Sequence, residues 1–514
     1  MKSKLFILIL LPLVNFHLLF SQNSNKIKEV TNEVVNNSWN EFYNLLSLPN
    51  DGYDSEGIKK NIEWSIKTFE KLGFTIKKLN AESSISNIPV HPLLLAEKKT
   101  TNQKDNKTLL IYFHMDGQPV DPSKWNQESP YIPVLKKKNN NNEWEKIDWD
   151  LINKPDKNWR IFARSASDDK GPPMMLVNAL KIIEKLNLKP KINLKLIIDF
   201  QEEMGSPTVE NAVKKFKNEL KSDYLLIIDG PSHVTNEPTL SFGARGISSI
   251  TLKAYGPKVP QHSGHYGNYA PNPAIFLSKI ISSMKDYSGR VIIPGFYDGI
   301  NLDEETKKIL NEVPDDEKTI MKNIGIANID KVGSSYQESI QFPSLNVRGL
   351  QSGWVGKEAR TIVPSTAIAE IDVRLVKESN PERLIKLIKN HIINEGAYII
   401  ENREPTEEER ITKSNIIQFK SRISYLAFRT EVNSEIGTWA SNALEKAFNK
   451  NPIKIRTSGG SIPISPFVTI LKVPAITFPS VNRDNNQHSP NENIRIGNYY
   501  DGTLGMVYLL IEKP

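Results

Sequence analysis

Apolar runs, each followed by a short polar cluster and then by a helix-spaced segment, recur through the first half of the chain. Residues 109–113 read as a strand that ends at His114, and the helical spacing of 174–186 follows the pair Asp168-Asp169. A second strand, 194–200, runs into Glu202-Glu203, and a third, 224–228, into Asp229. Continuously apolar strands alternating with helices predict an α/β fold with a mostly parallel sheet. Such sheets bind ligands beyond the carboxyl ends of their strands, which is where these His, Asp and Glu residues fall. Upstream, 26–46 and 55–72 carry helical spacing, the latter closed by Gly73, and 75–79 and 90–96 read as strands.

From about Gly246 the pattern changes. Residues 247–254 and 367–375 alternate as half-buried strands do, and 274–284 and 382–392 read as helices. This describes a small α+β layer inserted into the site-bearing domain. The charged segment 404–409 reads as the return linker, Ser434 as the cap of a helix reaching Phe448, and 473–478 as another buried strand. The polar stretch 126–159, with its Asn run at 139–142, reads as a surface excursion. The expected boundaries are 1–22 for a leader, 23–245 and 404–514 for the two parts of the site-bearing domain, and 246–403 for the insert. A chain of 514 residues fits more than one domain, because single cores stop growing near about 250–300 residues.

The leader has the composition of a signal peptide. Lys2 and Lys4 precede an apolar run broken only by Pro12, further apolar residues reach Phe20, and Ser21-Gln22 offers a small residue where cleavage would fall. Export to the periplasm or the exterior is expected, with an uncleaved anchor as the alternative. No later stretch reaches the about 18 consecutive apolar residues of a spanning helix.

Charge and composition narrow the chemistry. The 66 basic and 59 acidic residues leave a net +7, spread as scattered Lys such as Lys136-Lys137-Lys138. No run interleaves basic and aromatic residues, which argues against a nucleic-acid partner. Cysteine is absent, so disulfides, a thiol nucleophile and thiolate ligands are excluded. Any metal must then be held by His, Asp and Glu, which suits hard or borderline cations. No Gly-x-Gly-x-x-Gly follows the first strands, against a dinucleotide site.

Taken singly, the polar clusters are ambiguous. His114 at a strand end also fits a structural role, and Asp168 before a helix also fits capping. Adjacent carboxylates such as Glu202-Glu203 repel unless protons or cations compensate. Asp229 and His488 decide nothing alone. Together, however, five candidate donors recur at element ends in a chain with only 8 His.

Seven stretches resemble, in order, those of the M20 family of metallopeptidases, especially its carnosinase-like dipeptidase and carboxypeptidase G2-like branches. They are His114-Met115-Asp116-Gly117-Gln118-Pro119, Ser167-Asp168-Asp169-Lys170-Gly171-Pro172, Glu202-Glu203-Met204-Gly205-Ser206, Asp229, His262-Ser263-Gly264-His265-Tyr266-Gly267, Gly459-Gly460-Ser461-Ile462-Pro463, and His488 with Asn491-Glu492. The resemblance implies a di-metal catalytic domain with an inserted lid and dimerisation domain. Two divalent cations per subunit are expected, zinc first, with cobalt or manganese as substitutes. Asp168 would bridge them, His114 and Asp229 would complete one site, and Glu203 and His488 the other. Asp116 would orient His114. Glu202 would be the general base for a water held between the cations, and His262 the oxyanion donor. Thr361 and Arg374 match substrate contacts, with Ser461 at the same end. Arg suits bidentate capture of a carboxylate.

The expected activity is hydrolysis of peptide bonds in dipeptides or at the C-terminus of short peptides, by a homodimer. A deacylase of N-acyl amino acids and a catalytically silent exported peptide-binding protein are the alternatives. Three departures from the resemblance, Ala163-Arg164-Ser165 for Gly-Arg-Gly, the Asn-rich tract between His114 and Asp168, and Asn268 after Gly267, leave substrate preference open.

Overall fold

A computed structural model describes residues 7–100 and 107–514, with side chains described from residue 24 onward outside that gap. Lys2, Lys4 and the start of the apolar run, on which the leader reading rests, lie outside the described residues. The chain divides into two compact units. Met1–Phe242, Thr430–Ile455 and Pro466–Pro514 form the first, and Gly243–Arg429 with Arg456–Ser465 the second.

The first unit is built on an eight-stranded sheet. Its order is Thr75–Leu79, Leu93–Lys98, Asn193–Asp199, Thr108–His114, Tyr224–Ile227, Ala475–Thr477, Thr239–Ser241, Ile453–Ile455. The four strands from Asn193–Asp199 to Ala475–Thr477 are parallel to one another, as their apolar character predicts, and antiparallel pairings extend the sheet on both sides. All of Leu109 to His114 is buried. Each buried Leu or Ile stabilises by roughly 1.5–3 kcal/mol over its exposed state, so the core fixes where His114 emerges.

The first helix, Ile7–Leu46, packs with Gly171–Lys185 and Ile496–Ile511. Trp39 and Phe42 each lie 5.0 Å, ring to ring, from Tyr499. The helix Ser55–Lys71 ends before Gly73, whose φ of 81° is the left-handed conformation expected of a residue closing a helix. Ser434 caps Glu435–Phe448 by accepting the Gly437 N–H. Among the described residues no helix is long and apolar enough to cross a membrane.

The stretch expected to be a surface excursion is instead part of a second, four-stranded antiparallel sheet, in the order Asn493–Arg495, Arg160–Phe162, Val134–Lys138, Trp144–Ile147. Its polar composition hides the strands because long cations cover its aromatics. Lys136 is buried with its Nζ 4.5 Å from the centre of the Phe162 ring, and the Arg160 guanidinium lies 4.7 Å from that of Trp144. Asn139 closes the hairpin by accepting the N–H groups of Asn141 and Glu143.

The second unit carries a five-stranded sheet, ordered Ser344–Ser352, Thr366–Leu375, Gly246–Tyr255, Ile416–Tyr425, Tyr398–Glu401. Gly246–Tyr255 alternates buried and half-buried positions, and its inner face joins Leu277, Ile280, Leu384 and Ile388 of helices Pro273–Met284 and Pro381–Asn394 in one apolar core. The return point differs from the expected 404. Ile416–Tyr425 pairs along Gly246–Tyr255, so the second unit runs on to Arg429, and Arg456–Ser465 belongs to it as well.

Candidate metal centre

His114 ends its strand fully buried, with Nε2 3.0 Å from Asp168 Oδ1. On its other side Nδ1 lies 3.3 Å from Asp116 Oδ1 and 3.2 Å from the Asp116 carbonyl oxygen. The second oxygen of Asp168 is 3.1 Å from His488 Nε2, and the same nitrogen is 3.2 Å from Glu203 Oε2. Asp229 follows Tyr224–Ile227 by two residues. Two donor groups result, His114 with Asp168 and Asp229, and Asp168 with Glu203 and His488. Within each, the ligand atoms lie within 4.8 Å of one another, and Asp168 belongs to both. These are the five residues singled out from the sequence. The His488 side chain is 54% exposed, so the centre is open to solvent on that side.

His114, Asp168 and Glu203 are held from behind. The Asp116 carboxylate accepts the N–H groups of Glu202 and Glu203, both at 3.0 Å, one on each oxygen. It thereby fixes the 3-10 turn Glu202–Met204, which closes through Gly205 in the left-handed conformation at φ 83°. The strand itself stops at Asp199, whose carboxylate accepts from Gln201 N–H, Tyr112 OH and Ser206 OH and so fastens the start of that turn. Gln118 Nε2 donates to Glu203 Oε2 at 2.7 Å, and Gln487 Nε2 to Asp168 Oδ2 at 3.3 Å. Lys170 Nζ, fully buried, donates to the carbonyls of Leu45 and Leu48 at the end of the first helix, and burial holds its pKa well below the usual lysine range. Gln118 and Lys170 lie inside recognised motifs and Gln487 beside His488, but no role for them follows from the sequence, because only the folded chain brings their partners within reach.

The electrostatics follow from so many carboxylates in one place. Burial alone would lower the His114 pKa, but the Asp116 and Asp168 carboxylates outweigh it and hold it well above the usual imidazole range. Asp168 and Glu203 raise His488 to about 10. Burial opposes ionisation of Asp168, yet the two imidazoles hold it below the ordinary carboxylate range. Desolvation, then the charges of neighbouring carboxylates, pushes Asp229 up to about 7 and Glu202 well above its normal value. The cluster therefore attracts positive charge, as protons or as cations.

The remaining expected site residues lie in the second unit. His262 pairs with Ile362 across a short antiparallel ladder, and the Ser263 N–H donates to the Thr361 carbonyl at 3.0 Å, so His262 and Thr361 are neighbours. His262 is exposed, and its Nδ1 accepts the Gly264 N–H. Arg374 is the last residue but one of Thr366–Leu375 and donates from Nη1 to Ser461 Oγ at 2.9 Å, which brings together two residues far apart in sequence. Its Nε also lies 3.7 Å from Asp372 Oδ2, the strand ion pair that would serve it without a ligand.

Comparison with known proteins agrees with this architecture. The profile described as peptidase family M20/M25/M40 matches residues 110–512. A Cys-Gly metallodipeptidase of Schizosaccharomyces pombe is 24% identical over 489 residues, covering 91% of this chain and 95% of that protein. The beta-Ala-His dipeptidase of Mus musculus is 25% identical, covering 81% and 79%. Among solved structures, an M20 family metallo-carboxypeptidase from Sulfolobus solfataricus superposes with a TM-score of 0.72 at 29% identity, covering 92% of this chain and 98% of that one.

Proposed function

This chain belongs to peptidase family M20/M25/M40, and from that premise we propose that it hydrolyses the peptide bond of dipeptides, or the last bond of short peptides, with two divalent cations. The observation that carries this reading is the pair of donor groups sharing Asp168. The donor set suits the cations chemically, with three carboxylates, two imidazoles and no thiolate. The separations of 3.0 to 3.2 Å between imidazole and carboxylate atoms are of the size that donors around one cation take up with bonds of about 2.0–2.2 Å. His114 and Asp229 with Asp168 would hold one cation, and Glu203 and His488 with Asp168 the other. Imidazole and carboxylate donors favour zinc, with cobalt or manganese able to replace it.

Bound there, such cations polarise the scissile carbonyl and make water nucleophilic near neutral pH. The chain's own groups do the rest. Glu202, placed by the Asp116 clasp, takes up a proton at its carboxylate and returns it to the leaving amine. His262 donates toward the developing oxyanion. Arg374 and Ser461 receive the substrate's terminal carboxylate, with Thr361 contributing a further contact. The dipeptide substrates in the names of the relatives support a small peptide as substrate. The composition of the leader supports export, and we extend the reading to a homodimer.

Metal analysis of the purified protein, run beside a panel of dipeptides and N-acetyl amino acids, tests this. The expected result is two cations per chain and release of free amino acids from dipeptides. Turnover of the N-acetyl compounds alone would make the protein a deacylase. Neither cations nor turnover would leave a silent binding protein and end the reading.

A further inference from the structure

Glu492 has no part in the chemistry above, yet its carboxylate is the most heavily used acceptor around the centre. It is fully buried. Oε1 accepts the N–H and the hydroxyl of Ser167, at 3.0 and 2.9 Å, and the N–H of Asp168 at 2.9 Å. Oε2 accepts Arg164 Nη1 at 2.7 Å and the Ser165 N–H at 2.9 Å. The backbone carbonyl of Glu492 takes the Ala163 N–H as well. One side chain therefore gathers the turn that delivers Asp168, from a position 324 residues later in the chain.

The same residue lies four positions after His488. That loop is closed on itself, because Asn493 donates both its N–H and its side-chain amide to the Asn485 carbonyl. His488 sits in it at φ 60°. Glu492 thus ties the loop of one donor to the backbone of the other, and the two donors stand 3.1 Å apart.

We propose that Glu492 is a positioning residue that sets the spacing of Asp168 and His488 and thereby the affinity for the cation they share. The proposal rests on the metal-dependent reading above. A carboxylate is required because all five partners are donors and an ionised carboxyl group offers only acceptors. Glutamine would turn its NH2 group either onto Arg164 and Ser165 or onto Ser167 and Asp168, and in both orientations donors would face a donor. The two oxygens also separate two roles. Oε2 closes a buried ion pair with Arg164, whereas Oε1 holds the backbone of a donor residue.

Cobalt(II) titration of the chelator-treated protein, followed by visible absorption, reads this without recourse to activity. The variants are Glu492→Gln and Ser167→Ala, the second of which leaves the ion pair intact. Groups that support metal ligands typically change affinity by about 10–100-fold when altered. Glu492→Gln is expected to weaken binding of at least one cobalt ion by that factor and to shift the absorption bands. Ser167→Ala should move both in the same direction by less, with the melting temperature of the cobalt-free protein nearly unchanged. Wild-type affinities and spectra in both variants, with only the melting temperature lowered in Glu492→Gln, would overturn the proposal. Should Glu492→Gln fail to fold, Ser167→Ala decides, since unchanged cobalt binding there also overturns it. A wild-type protein that takes up no cobalt would sink the proposed function and this inference with it.

Discussion

Asp116 Oδ1 accepts the backbone N–H of Glu202 at 3.0 Å while standing 3.3 Å from His114 Nδ1. One carboxylate therefore orients an imidazole donor and the turn bearing the proposed base. Asp116→Asn would place an amide NH2 against one of the N–H groups of Glu202 or Glu203, because each oxygen now accepts one. We expect kcat/KM for a dipeptide to fall by at least about 10–100-fold. Steady-state kinetics on protein of measured metal content would check this, and an unaltered kcat/KM would remove Asp116 from the mechanism.

Glu202→Gln should separate metal from turnover. Glu202 is absent from both donor groups, so cation content should stay at the wild-type level. Loss of a general base typically costs about 10²–10⁴-fold, and kcat should fall by that order. Elemental analysis beside a kinetic assay would reveal the opposite case, in which Glu202 proves to be a ligand and metal is lost.

Chelation should silence the protein and make its stability depend on pH in one direction. Asp229 is raised from 3.8 to about 7 and His488 from 6.5 to about 10. In each case the folded state binds more protons than the unfolded state between the two values. The stability that Asp229 and His488 contribute by holding these protons is therefore lost as pH rises, through about 7 for the first and about 10 for the second. Cations replace the protons. The gap in melting temperature between cation-loaded and chelated protein is thus expected to widen from pH 5 to pH 9, on the order of the linkage effect. A flat gap in a calorimetric series would contradict the charge balance described for the centre.

Trp39→Ala tests the helical layer. Trp39 is 2% exposed and meets the rings of Tyr499 and Tyr500 at 5.0 and 6.0 Å. Truncating a buried Trp costs about 3–5 kcal/mol. Denaturant unfolding of the metal-loaded protein should show that loss; a change below about 1 kcal/mol would mean the layer repacks around the gap.

The strands that carry the centre were legible because both of their faces are covered, and a strand buried on both sides reads as an unbroken apolar run. His114, Asp168, Glu203, Asp229 and His488 stood out because each follows such a run or matches a motif, and the fold brings them together. The hairpin at 134–147 was hidden by its lysines, whose ammonium groups lie over aromatic rings while their charges suggest a loop. The end of the insert was misplaced because Ile416–Tyr425 loses its apolar character halfway, where its residues become exposed. The role of Glu492 was beyond sequence reasoning for a different cause. Its partners at 164–168 become neighbours only when the chain has closed on itself, and no local pattern encodes five donors arriving from elsewhere.

The first unit is split by the second, and its final piece, Pro466–Pro514, contributes His488 and the helix Ile496–Ile511 that packs on Gly171–Lys185. During synthesis the second unit is translated in full before that piece exists. His114, Asp168 and Asp229 all precede the second unit, but the group that Asp168 and Glu203 form with His488 is complete only once that piece has been made. Occupation of the second group is in consequence tied to that last piece, and a chain truncated before His488 would keep His114, Asp168 and Asp229 yet never complete its centre.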